Sequence, residues 1–184
     1  MEHRECLRRV RPLVRELLPD DLRDFKWEAS FLAKLWFGNH ALHYEITPRR
    51  RAGTIEIGLH FEADPLTNAR LLAAFTANTK AVRRALANAR LEEWDRGWCR
   101  VWEALPYRKA DASLAKDLAD RIATYVIALE PILRRELPSD VAWAEPEARP
   151  ERPAGAAKLR QKAGARRAEV KAAGPSRASR GARR

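Results

Sequence analysis

Residues 40–61 read HALHYEITPRRRAGTIEIGLHF, and the fold is decided by how this stretch alternates. From His40 to Thr47, Leu42, Tyr44 and Ile46 point one way and His43, Glu45 and Thr47 the other. From Thr54 to Phe61, Ile55, Ile57, Leu59 and Phe61 oppose Glu56, Gly58 and His60. A period of two with one apolar side marks a half-buried strand. Pro48–Gly53, with three arginines at 49, 50 and 51, has turn chemistry. The two runs are expected to form an antiparallel hairpin with one dry face. Pairing Pro48 with Gly53 sets Ile46 opposite Ile55 and Tyr44 opposite Ile57, which keeps every apolar residue on one side. The same register puts Glu45 opposite Glu56, flanked by His43 and His60.

Outward from the hairpin the period changes to that of helices. Towards the N-terminus, Leu7, Val10, Val14 and Leu17 recur at three and four over Glu2–Leu18, with Arg4, Arg8, Arg11 and Arg15 on the other side. Pro12 is expected to kink this helix or mark a later start. After Pro19-Asp20-Asp21 a second helix is expected over Leu22–Phe37, with Phe25, Leu32, Leu35 and Trp36 inward and Gly38-Asn39 as its stop. Beyond the hairpin, Asp64-Pro65 reads as a cap and first helical residue. The helix it opens is expected to reach about Ala87 and to face the sheet with Leu72, Phe75, Thr79, Val82 and Leu86. Gly97–Leu105 reads as a third strand, with Trp98, Arg100 and Trp102 on one side and Cys99, Val101 and Leu105 on the other. Ser113–Leu137 reads as a long helix with the stripe Leu114, Leu118, Ile122, Tyr125, Leu129 and Leu133, in which Pro131 is expected to kink or restart the chain. The expectation is an α+β fold of order ααββαβα: a small antiparallel sheet, the hairpin plus a third strand, packed against about four helices.

The chain has 184 residues and a net charge of +11. Residues 1–144 carry 24 basic and 21 acidic side chains, while residues 145–184 carry 12 basic and 4 acidic. That last segment is built from Ala, Arg, Lys, Glu, Pro and Gly and has too few apolar groups to offset the entropy of ordering it. It is expected to be a disordered basic tail behind a globular domain of residues 1–144. No apolar run reaches the ~18 residues of a membrane span, and Met1 opens onto Glu2, Arg4 and Glu5 instead of an apolar leader. Cys6 and Cys99 are too few for a disulfide framework or a cysteine-only zinc site. These features lead to the expectation of a reduced, cytoplasmic protein with no membrane insertion.

The stretch from Phe31 to Leu137 resembles an uncharacterised bacterial domain family often found C-terminal to restriction-type nuclease domains. The likeness rests on the strand His43-Tyr44-Glu45-Ile46, the strand Ile55-Glu56-Ile57, Asn68-Ala69 and Phe75 in the following helix, the turn from Leu91 to Trp94, and Pro131-Ile132-Leu133 in the closing helix. The positions that carry the resemblance are structural, so it implies a fold and assigns no functional residue.

Two groups of residues carry candidate chemistry. On the hairpin's polar face, His43, Glu45, Glu56 and His60 are the ligand types of zinc, manganese or iron, and a carboxylate pair there can share a proton. The other reading of the same residues is a solvated face balanced by Arg49–Arg51. His40 and His43, three apart on one strand, fall on opposite faces and make no ligand pair. In the tail, Arg149, Arg152, Lys158, Arg160, Lys162, Arg166, Arg167, Lys171, Arg177, Arg180, Arg183 and Arg184 suit non-specific contact with nucleic-acid phosphates. Trp98, Arg100 and Trp102 form an aromatic and basic stripe that either stacks bases or belongs to the core. Phosphate-binding glycine loops, a serine nucleophile elbow and the lysine of a restriction-type nuclease core are all missing from the sequence. No cofactor is expected. The expectation that follows is a non-catalytic, nucleic-acid-associated module, DNA or RNA. The rivals are a metal-dependent enzyme on the hairpin face and a protein-interaction module that docks through the arginines of the first helix.

Overall fold

The computed structural model describes residues 1–107 and 109–137. Its elements are α1 (His3–Leu17), β1 (Lys26–Ala29), β2 (Ala33–Trp36), β3 (Leu42–Arg49), β4 (Thr54–Phe61), α2 (Pro65–Ala77), α3 (Thr79–Ala85), β5 (Arg90–Asp95), β6 (Trp98–Pro106) and α4 (Ala112–Glu136). The six strands form one antiparallel sheet in the order β1-β2-β3-β4-β6-β5. The fold class is α+β as expected, with four helices. The sheet is twice the expected size, and the element order is αββββααββα.

The expected hairpin is the sheet's centre, in a register two residues away from the simplest one. Arg50–Ala52 coil into a 3₁₀ turn closed by Gly53, at φ 65°, so the strands join at Arg49 and Thr54. Ile46 therefore faces Ile57, and Tyr44 faces Leu59. A slip of two leaves every side chain on its original face, so the dry face survives intact.

The expected second helix over Leu22–Phe37 is not present. A 3₁₀ turn at Asp20–Leu22 leads into β1 and β2, which pair through a turn at Ser30. Pairing with β3 overrides the weak helical spacing here: Ala33 and Leu35 pack inward, and Lys34 and Trp36 face the other side. The turn read at Leu91–Trp94 is instead strand β5. Its hairpin with β6 turns on Arg96, φ 50°, and Gly97, φ 77°, the two left-handed positions that a tight hairpin needs. The expected helix from Asp64 to Ala87 breaks at Asn78 into α2 and α3. Asp64 caps it as read, accepting from the Leu66 and Thr67 N–H groups at 3.1 and 3.0 Å. Leu71 takes the fully buried place that the spacing gave to Leu72.

α1 and α4 match their readings, and each runs through its proline. In α1, Leu18 just past the helix is buried where Leu17 was expected, and Leu17 is exposed. In α4 the whole stripe from Leu114 to Leu133 is buried. The core lies between the helices and the face of the sheet that carries Tyr44, Ile46, Ile57, Leu59, Phe61 and Val101. Polar ties cross it. Tyr44 donates to Glu130 of α4 at 2.9 Å, and Arg121 of α4 makes a two-point contact with the buried Glu103 of β6. Asn68 holds α2 to the Ala63 backbone and to the Gly97 carbonyl of the β5–β6 turn. Among the described residues no helix is long and apolar enough to cross a membrane.

Candidate functional site

The second face of the sheet carries His43, Glu45, His60, Arg100, Trp98 and Trp102, and its middle is occluded although the helical core lies on the other side. His43 is fully buried, and Glu45 and His60 are nearly so. The register explains their meeting. His43 faces His60 across β3 and β4, and Glu45 faces Gly58, whose missing side chain leaves room. A Cβ on Gly58 would fall 2.5 Å from the Val101 carbonyl oxygen and 2.6 Å from Trp102 Cβ, so the close packing of β4 on β6 requires glycine.

Within this cluster the imidazoles stack at 5.5 Å. His43 Nδ1 lies 2.9 Å from the His40 carbonyl oxygen. A carbonyl can only accept, so Nδ1 carries the proton and donates. Nε2 lies 3.4 Å from Glu45 Oε2 and makes no hydrogen bond. Burial holds the His43 imidazole below its ordinary range; Glu45 pulls the other way, and Lys34 and His60 add to the burial effect. The Glu45 carboxyl is pushed up by burial but drawn down further by His43, His60 and a donated Thr47 hydroxyl, and stands at about 2. Lys34 Nζ, from β2, approaches the same carboxylate at 3.6 Å. His60 Nδ1 is also without a hydrogen-bond partner, with Glu62 Oε1 3.7 Å away. One ligand atom each from His43, Glu45 and His60 lie within 4.8 Å of one another.

Glu56 does not belong to this group. It faces Thr47, not Glu45, and its carboxylate is held by Arg49 at 2.9 Å and Arg100 at 3.3 Å. The expected Glu45–Glu56 pair fails because the four-residue turn sits one residue later, on Arg50–Gly53, which moves the register by two. His40 precedes β3, so strand alternation does not govern it. Its ring folds over His43 at 5.5 Å, while its Nε2 points towards Glu28 at 3.5 Å.

The aromatic stripe on β6 is neither core nor an open stacking platform. The Arg100 guanidinium lies over Trp102 at 3.9 Å and Trp94 at 5.1 Å. Its charge is matched by Glu56 and Glu92. From Trp36 through His40, His43, His60 and Trp94 to Trp98, neighbouring rings lie 4.6 to 5.9 Å apart in a continuous row across the sheet. Lys34 and Trp94 enter through strands that sequence spacing missed.

A second concentration of chemistry sits at the hairpin tip, where the start of α1 and the end of β6 meet it. Tyr107 N–H donates to the Gly53 carbonyl at 2.8 Å, and the Tyr107 ring lies 6.1 Å from that of His3. Two adjoining hollows, of about 630 and 710 Å³, share His3, Arg4 and Arg50 in their walls. Arg51 lines one and Lys109 the other. Among the described residues Arg4, Arg50, Arg51 and Lys109 form no ion pair, and the one carboxylate in the same walls is that of Glu2. His3 is buried, and neither ring nitrogen has a hydrogen-bond partner. Burial first and the Arg50 charge second lower its pKa, with the Phe31 backbone pulling slightly the other way. Sequence reading singled out the three arginines as a turn and had no signal for His3, which helix periodicity places on the inner side.

The tail residues from Arg149 to Arg184 lie outside the described residues. The arginine face of α1 is exposed, and Arg15 lies over Phe25 at 5.3 Å. Burial raises the thiol pKa of both Cys6 and Cys99, which removes them as nucleophiles. No family model, curated protein or solved structure matches the chain.

Proposed function

We propose that the protein is a nucleic-acid-associated module that holds backbone phosphates at its hairpin tip and through the basic side chains of residues 145–184. The observation that carries this reading is the set of cationic groups around the two hollows that form no ion pair, Arg4, Arg50, Arg51 and Lys109, which outnumber the one carboxylate there, Glu2. Elsewhere the exposed arginines are often matched, as Arg9 is with Glu5 and Arg23 with Asp20. An unmatched guanidinium cluster repels itself and gains most from a phosphate, which accepts two parallel N–H bonds from arginine. The further 12 basic residues against 4 acidic ones beyond residue 144 strengthen the field. Phosphate contact of this kind positions a backbone without reading bases.

The test is fluorescence anisotropy with labelled single-stranded and duplex DNA and RNA over a salt series. It compares the full chain, its Arg50→Ala/Arg51→Ala variant and residues 1–144. The full chain is expected to bind with an affinity that falls linearly on log–log axes. Losing two phosphate contacts should flatten the slope on duplex DNA by about two. A full chain that binds none of these at low salt would sink the proposal.

A further inference from the structure

We propose that His43, Glu45 and His60 form a binding site for one divalent transition-metal ion of zinc's class, separate from the phosphate-holding tip. Two imidazole nitrogens and one carboxylate are a ligand set that such ions accept. The strongest support comes from His43. Its Nδ1 is committed to the His40 carbonyl, so in the neutral ring Nε2 is a bare lone pair. That lone pair is fully buried, has no donor, and lies 3.4 Å from the Glu45 carboxylate. Two electron-rich atoms this close in a buried site are unfavourable without a cation between them. Lys34 satisfies the carboxylate at 3.6 Å but gives Nε2 nothing.

His60 repeats the pattern, with Nδ1 unpartnered and the ring stacked on His43. The spread of up to 4.8 Å among the ligand atoms closes to the ~3.4 Å separation of tetrahedral ligands by small side-chain rotations. The surrounding groups are those that orient ligands in metal centres: a backbone carbonyl takes the His43 Nδ1 proton, and Thr47 donates to the far oxygen of Glu45. Glu62 lies 3.7 Å from His60 Nδ1, beside the cluster. The cation that must leave the Glu45 carboxylate is the Lys34 ammonium.

The experiment is calorimetric titration of chelator-treated full-length protein with zinc chloride. Cobalt(II) absorption reports the ligand field, and magnesium serves as a hard-ion control. One equivalent of zinc is expected, with magnesium inert. His60→Gln and Glu45→Gln should each abolish saturable binding. Lys34→Met should tighten binding by about tenfold, since it removes a like charge beside a ligand. A protein that takes up no zinc overturns the proposal, as does unchanged affinity in both ligand variants. If those variants fail to fold, Lys34→Met decides: weaker or equal zinc binding there puts the ion at another site and overturns the proposal. Nucleic-acid binding of the metal-free chain is expected to be unaffected, so failure here is distinct from failure at the tip.

Discussion

His3 shows how a single side chain can set a pH response. The ring is buried in the first turn of α1 with both nitrogens unpartnered, and its folded pKa lies below the ordinary 6.5. Above that pH the ring is neutral in folded and unfolded chains alike. As pH falls through about 6.5 the unfolded chain takes up a proton that the folded chain refuses, so stability drops until the folded ring also protonates. Arg4 and Arg50 line the same hollows and oppose that last step. Removing the titration while filling the space should flatten the curve. Urea denaturation of His3→Phe between about pH 7.5 and 5 is therefore expected to show less loss of stability than the wild type, and a parallel loss in both would contradict the assignment. An adjoining anion changes the balance: phosphate favours the charged ring, so saturating phosphate should reduce the acid loss in the wild type alone.

Among the elements, the bond between α4 and β6 is the most exposed to mutation. Glu103 is almost wholly buried on β6, and its carboxylate is answered by Arg121 of α4. Arg121→Met strands a buried charge, and the expected loss is about 3 kcal/mol. Adding Glu103→Leu should recover most of it, because an apolar pair of similar size carries no desolvation cost. Denaturant midpoints of the two single variants and the double variant check this. Failure of the double variant to recover would show that the pair is needed for more than neutralisation.

Sequence legibility also varies by element. α4 was readable because its stripe repeats over many turns, and both strands of the central hairpin because each alternates over eight residues. β1 and β2 were not, since four residues hold too few periods to separate strand from helix, and Leu32, Leu35 and Trp36 mimic helical spacing by chance. β5, an edge strand with Glu92, Glu93 and Asp95, has no apolar run to announce it. The site divides along the same line. Alternation put His43, Glu45 and His60 on one face. Whether Glu56 joined them depended on where the four-residue turn sits, on 49–52 or on 50–53, which the run of three arginines does not reveal.

At the scale of the described body, its first and last elements are packed together. α1 lies against α4, the last described element, with Cys6 Sγ 3.7 Å from the Asp111 carbonyl at its cap. The core is complete only when both are in place, so the described body is expected to behave as one cooperative unit.

The strand order has a further consequence, in time and not in space. β1 to β4 follow one another as neighbours, and β5 and β6 turn on two residues. Both pieces close by local contacts that cost little chain entropy. Their junction is different: β4 meets β6 only after the whole segment from Glu62 to Gly97 has been looped out. Non-local pairing of this kind limits the speed of folding. Refolding is therefore expected to be gated at the β4–β6 seam. In stopped-flow measurements Val101→Ala, on that seam, should slow refolding. Val82→Ala, in α3, should chiefly hasten unfolding. The reverse pattern would place the nucleus among the helices.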